Sequence, residues 1–196
     1  MENEIKEPQP QYNYTTAEEY LSAEREALEK HEYYKGEIFA MSGTSLKHNI
    51  IFSNVLTEIG YQLKGKNCRP FGSDLRIHIP KNTLYTYPDI SIICGEPTLT
   101  DDHFDTATNP SVIIELLSKS TRNYDKGNKF TLYRDIDSLQ EYILIDTEEI
   151  YVEKHIRQMD KSWPLTDYRN IEDSFFIDTV QLSLQLKDIY NGVTFK

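Results

Sequence analysis

VIIELL, Val112 to Leu117, is an unbroken apolar run with a single carboxylate inside it. Such a run reads as a strand covered on both faces, the usual mark of a sheet's centre. Glu115 is the anomaly, because taking a carboxylate out of water costs several kcal/mol unless a metal, a cation or hydrogen bonds compensate. The position asks for a partner. Side chains two apart share a face, so Glu115 stands with Ile113 and Leu117, while Val112, Ile114 and Leu116 point the other way.

Upstream, YPDISIIC (87–94) is a second strand of the same kind and carries Asp89 directly after Pro88. One buried acid can be satisfied by backbone groups or an arginine; two, on neighbouring inner strands, suggest a shared cation. Hard divalent metals such as magnesium take oxygen ligands and keep several waters, so two carboxylates and a backbone carbonyl suffice. The metal would also cancel the repulsion that raises a carboxylate's pKa. The competing reading is a pair of buried acids retained by the fold after activity is lost.

Around these strands the periodicity alternates between that of helices and that of strands. CRPFGSDLRIHIP (68–80) alternates Leu75, Ile77 and Ile79 against Asp74, Arg76 and His78, which predicts a strand with one buried face. SLKHNIIFSNVLTEIGYQLKGKN (45–67) puts Ile51, Val55, Ile59 and Leu63 on one helical face and ends at Gly65. HEYYKGEIFAM (31–41) predicts a hairpin at Lys35-Gly36. YTTAEEYLSAEREALEK (14–30) predicts a helix over 17–30, with Thr16 as N-cap, Glu19 completing the capping box and the other glutamates on a solvated face. GEPTLTDDHFDTATNP (95–110) reads as a polar loop. Downstream, KGNKFTLYRD (126–135) supports a helix through Phe130 and Tyr133, with Asp125 as its N-cap, and LQEYILID (139–146) a strand. Further strands follow Val152, including the alternation Leu182, Leu184, Leu186, and a short helix closes near Tyr190. Helix, strands, helix, strand implies an α/β (α+β) fold around a central mixed β-sheet.

With 196 residues the chain is most economically one domain, 14–196, behind a flexible N-terminal tail, 1–13. That acidic, proline-bearing start does not read as a signal peptide, and no apolar run approaches the ~20 residues that cross a bilayer. A cytoplasmic protein with no membrane partner is expected. Cys68 and Cys94, without CxxC spacing, read as reduced core thiols rather than a disulfide or zinc site. The net charge of −11 opposes attraction to a polyanion. From Lys119 to Arg134, however, Lys119, Arg122, Lys126, Lys129 and Arg134 face the single acid Asp125, a local positive charge that could meet phosphates.

HEYYKGEIFAMSG, KHN, SDLRIHI, YPDISII, IIELLSKSTRNYDKGNKFTLYRDIDSLQEYILID and LQLKDIY, taken in order over about 14 to 190, resemble the Uma-two family of restriction-endonuclease-like proteins in the PD-(D/E)XK nuclease superfamily. The resemblance implies a restriction-endonuclease-like core of helix, three strands, helix and strand, with an added N-terminal hairpin and C-terminal strands. It also implies Asp89 and Glu115 as metal-binding acids, with magnesium, or manganese, as the cofactor. The superfamily's lysine follows the glutamate by two, where this chain has Leu117. In the family the lysine has moved to the next helix, which makes it Lys129, and it reaches the sheet if Tyr133 packs inward.

The resemblance also picks out three supporting positions. His48 is either a site residue or a hydrogen-bonded helix-start histidine, and Glu32 and Asp74 are either outer metal ligands or strand-end acids held by backbone donors. Ser118 and Thr121 read as a structural turn. The expected activity is metal-dependent endonucleolytic hydrolysis of DNA, with weak, salt-sensitive binding and a homodimer to cut both strands. The alternative is a catalytically silent dimeric module with the same fold.

Overall fold

The computed structural model describes residues 14–41 and 43–195; the expected tail, 1–13, lies outside the described residues. Helix α1 (Ala17–Glu26) starts with the expected box, in which the Thr16 hydroxyl accepts the Glu19 N–H and the Glu19 carboxylate accepts the Thr16 N–H. It stops short of 30 because Glu24, far from lying on a solvated face, turns inward to accept the His31 N–H and the Tyr87 hydroxyl, each at 2.8 Å. Strands β1 (His31–Tyr34) and β2 (Glu37–Ala40) form the hairpin. Gly36 has φ +89°, and a Cβ there would sit 2.3 Å from the Tyr14 ring, so both backbone and space exclude a side chain. Helix α2 (Leu46–Leu63), capped by Ser45, buries Ile51, Val55, Ile59 and Leu63 as their spacing predicts.

The expected strand over 68–80 divides. Strand β3 (Cys68–Gly72) and strand β4 (Arg76–Ile79) belong to different sheets, separated by a turn closed by the Leu75 N–H on the Gly72 carbonyl. Ile77 and Ile79 of the alternation are buried in the second piece, but so is Arg76, and Leu75 belongs to the turn before it. Then come β5 (Leu84–Thr86), β6 (Ile90–Cys94), β7 (Thr106–Ala107) within the polar loop, and β8 (Val112–Leu117). Helix α3 (122–133) is built of Arg122–Tyr124, a π-helical turn Asp125–Lys129 and Phe130–Tyr133. The chain ends with β9 (Glu141–Asp146), β10 (Val152–Ile156), β11 (Leu165–Tyr168), β12 (Ser174–Ile177), β13 (Leu182–Gln185) and α4 (Leu186–Ile189), which takes Leu186 out of the strand alternation.

The larger sheet has the order β11-β10-β9-β8-β6-β3, with β8 parallel to β9 and antiparallel to β6, and the smaller one β2-β1-β5-β4-β7. The larger sheet is covered on both faces. On one, Val112, Ile114 and Leu116 pack with α2, β13 and α4; on the other, Ile113 and Leu117 pack with Ile77, Ile79 and Leu84 of the smaller sheet and with Tyr133 of α3. The parity read from VIIELL therefore decides which layer each side chain meets, and it puts Glu115 between the sheets and under α3.

Cys68 and Cys94 are register partners in the β3–β6 pair and are joined by a disulfide, which corrects the reading of reduced thiols. Pairing of the strands sets the two side chains opposite each other, a relation their spacing in the chain does not reveal. Among the described residues no helix is long and apolar enough to cross a membrane.

Candidate active site

Strands β6 and β8 bring Asp89 and Glu115 together. Ile90 pairs with Ile114, so Asp89, one residue before β6, lies beside Glu115 and Leu116. The two residues lock each other: Asp89 donates its N–H to Glu115 Oε2 (3.1 Å), and Asp89 Oδ2 accepts the Leu116 N–H (2.7 Å). Asp89 Oδ1 meets His48 Nε2 at 3.0 Å. His48 is thus at the site, held on the first turn of α2, where its own N–H is taken by the Ser45 hydroxyl.

Glu115 is buried, and its Oε1 accepts from the Tyr133 hydroxyl (2.7 Å) and from Lys129 Nζ (3.0 Å). Lys129 is buried too and reaches Glu32 Oε1 at 3.1 Å and Asp125 Oδ1 at 3.9 Å. The π-helical turn of α3 carries Asp125 and Lys129 at its two ends, both turned toward the sheet. Turns of this kind are rare and occur mostly as single bulges inside α-helices, frequently at functional sites. Glu32 on β1 is fixed by the hydroxyls of Thr86 and Tyr124.

Around one ammonium, then, stand Glu32, Glu115 and Asp125, with Asp89 joined through Glu115. Burial pushes the Glu115 carboxyl up to about 8, with Asp89 and Asp125 adding to the rise and Lys129 opposing it. Burial likewise raises Asp125 against the pull of Lys129. Burial works against the Lys129 ammonium, but Glu115, Tyr133, Glu32 and Asp125 outweigh it and hold its pKa well above the ordinary lysine value. The cluster is an excess of carboxylates around one fixed positive charge.

These groups line a cavity of about 1040 Å³ whose wall also includes Tyr34, Phe39, Ser118, Lys119, Thr121 and Tyr124. Asp89 is the acid of the pair that opens to it, its side chain 20% exposed. Ser118 and Thr121 hydrogen-bond to each other as a turn.

Sequence reasoning placed Asp89, Glu115, Lys129, Glu32 and His48, and the structure brings these five together. Asp74 is not with them: it sits on the turn between β3 and β4, 98% exposed, paired with Lys30 at 2.6 Å. Its turn leads away from the larger sheet, which removes it from the cavity. Asp125 is not an N-cap but an inward residue within α3, and the signal that could have found it is its i,i+4 relation to Lys129. The hydroxyl of Tyr133 on Glu115 was also missed; inward packing of its ring entered only as the condition for Lys129 to reach the sheet, and the structure meets that condition. The local basic group is largely spent on internal pairs, Arg122 with Asp146 (2.5 Å) and Lys126 with Glu153 (2.5 Å). Among the described residues no three His, Cys, Asp or Glu side chains are arranged to hold a metal ion by themselves.

The site lies in a mixed α/β fold, with the larger sheet packed between α2, β13 and α4 on one face and the smaller sheet and α3 on the other. A crystal structure described as "a putative nuclease belonging to DUF820" from Anabaena variabilis matches this fold with a TM-score of 0.72 at 21% identity, over 90% of this chain and 97% of that one. The chain belongs to the Uma2 family, whose model, described as "Putative restriction endonuclease", matches residues 17–187. Two relatives from Synechocystis are named "Uncharacterized protein sll1609", 40% identical over 78% of this chain and 86% of the relative, and "Uncharacterized protein slr1290", 35% identical over 91% and 92%.

Proposed function

We propose that the chain is a metal-dependent endonuclease hydrolysing DNA phosphodiester bonds in the cytoplasm. The observation that carries this reading is the meeting, at one cavity, of two acids from adjacent strands with a buried lysine from the next helix. Asp89 and Glu115 would hold magnesium or manganese, with water and main-chain oxygen completing the shell. The donor set suits such an ion: an ionised carboxylate offers about four lone-pair sites, and the hydrogen bonds and ion contacts to these two acids leave some free. When bound, the ion supplies Lewis-acid polarisation of the phosphoryl group and a more acidic water.

The chain's own groups do the rest. His48 Nε2 and the Leu116 N–H fix the direction of the Asp89 carboxylate, and the Tyr133 hydroxyl and the Asp89 N–H fix that of Glu115. Lys129, fully charged, keeps an ammonium beside Glu115 Oε1, where it can stabilise negative charge growing on the phosphate oxygens. Glu32 and Asp125 hold that ammonium in place.

The same contacts favour a second reading, a silent module, because each carboxylate oxygen of Asp89 and Glu115 already has a protein partner. Incubating the purified chain with plasmid and labelled oligonucleotides, with magnesium, manganese or chelator, separates the two. Metal-dependent cleavage, reduced on the order of a hundredfold or more in Glu115→Gln with an unchanged circular dichroism spectrum, supports the enzyme. No cleavage together with no metal binding by calorimetry leaves the silent module.

A further inference from the structure

Resting on the nuclease reading above, we infer that the substrate is an unpaired nucleic-acid strand, one of whose bases stacks on an aromatic wall made by Tyr34, Phe39 and Tyr124. The hairpin register sets the wall beside the acids. Glu32 pairs with Phe39 across β1–β2, and directly paired residues share a face. Tyr34, two residues after Glu32, stands on that same face, whereas Tyr33 turns the other way into a cluster with Tyr20 and Tyr85. Tyr124 comes from α3 and donates its hydroxyl to Glu32 Oε2 at 3.3 Å. All three rings line the cavity that holds Asp89, Glu115 and Lys129.

Two of these rings are left wet, Phe39 at 47% exposure and Tyr124 at 38%. Aromatic surface kept in water at the rim of a site is what a flat apolar ligand would cover, and every nucleobase has a π-face. The charges agree. A duplex is tracked by a row of free cations, but Arg122 and Lys126 are ion-paired and Lys129 is buried among acids, which leaves Lys119 at the cavity wall and Arg134 beyond it, and the chain carries −11 overall. Affinity must then come more from stacking than from neutralising phosphates. Depth points the same way: Glu115 and Lys129 are buried below the rim, so a phosphodiester has to descend to them. Duplex DNA is stiff, with a persistence length of ~150 bp, and presents its phosphates on a convex rod; a single strand bends and can lower one. A single-stranded substrate also needs no two-fold partner to be cut.

The test measures binding by fluorescence anisotropy, with calcium replacing magnesium so that the labelled strand survives, and cleavage separately with magnesium or manganese. A single-stranded oligonucleotide is expected to bind and be cut at least about tenfold better than the duplex of the same sequence. Phe39→Ala, at an exposed position that spares the fold, should weaken single-strand binding by about tenfold, and Phe39→Trp should restore it. Equal or better handling of the duplex overturns the inference, as does a Phe39→Ala variant that binds unchanged. A Phe39→Ala change in oligomeric state, seen by light scattering, without a change in oligonucleotide binding also overturns it, since the wall is then a protein interface. Cleavage of duplex with an inert Phe39→Ala defeats the stacking wall alone, whereas failure to bind or cut any nucleic acid defeats the nuclease reading beneath it.

Discussion

Lys129 is buried among the carboxylates that hold it, and its position is a matter of charge balance. Removing one member of a buried ion group leaves the others uncompensated, at a cost of roughly 3–5 kcal/mol. Lys129→Met, which keeps the length of the stem, is therefore expected to destabilise the chain by about that much in urea melts, because Glu32, Glu115 and Asp125 lose their shared cation. An unchanged midpoint would mean that the ammonium does not sit among them. What could be read of this cluster from sequence follows from the same physics. Glu115 announces itself because a charge inside VIIELL is costly, and Asp89 because it stands beside a second inner strand. Asp125 does not, since an aspartate ahead of a helical pattern is equally good as a cap, and only the π-helical turn reveals that it faces inward. Asp74 is picked out by the resemblance, as an acid ahead of a strand, but it lies on the turn before β4 with its side chain in solvent.

At the scale of the element, two glycines make opposite demands. Gly36 lies at φ +89° with the Tyr14 ring where a Cβ would go, so Gly36→Ala should cost more than ~1 kcal/mol and loosen the hairpin that presents Glu32. Gly127, inside the π-helical turn, has right-handed helical neighbours and open space around a would-be Cβ. Gly127→Ala is expected to stabilise by ~0.5–1 kcal/mol, as in other helix interiors. Thermal melts of the two variants should move in opposite directions; a shared direction would contradict the turn geometry at one of them. Elements with a pure period were legible: α2 through Ile51, Val55, Ile59 and Leu63, and β8 through its apolar run. The stretch 68–80 was not, because Gly72, Ser73 and Asp74 turn the chain from one sheet to the other while the apolar alternation resumes beyond them. Local pattern reports burial, not which sheet supplies the partner strand.

For the molecule as a whole, the charge total was legible and its wiring was not, since the pairs Arg122–Asp146 and Lys126–Glu153 depend on α3 lying against β9 and β10. That wiring predicts how stability responds to pH. Burial works against the Glu153 carboxylate, but hydrogen bonds from His155, Lys126 and Tyr151 outweigh it and hold its pKa at about 2. A carboxylate depressed in this way contributes stability that is present above its unfolded value, 4.5, and lost as pH falls toward 2. Glu115 acts in the opposite sense. Raised by burial from 4.5 to about 8, it contributes stability that is full below 4.5 and lost as pH rises through 8. In the metal-free chain Glu153, together with Asp105, should therefore contribute to a loss of stability on the acid side, the first limb, and Glu115, together with Asp125 and Asp146, to a loss as pH rises from 4.5 through 8, the second limb. Glu115→Gln, which cannot ionise, should make the second limb shallower and leave the first. Glu153→Gln should lower stability at pH 5 and make the first shallower. Magnesium should make the second limb shallower in the parent chain as well, since a cation at Asp89 and Glu115 takes over the role of the proton. Urea melts across pH 3 to 9 decide the matter: a metal-free parent whose stability climbs steadily from pH 5 to 8 would show that Glu115 ionises without penalty and is not buried in the company this fold gives it.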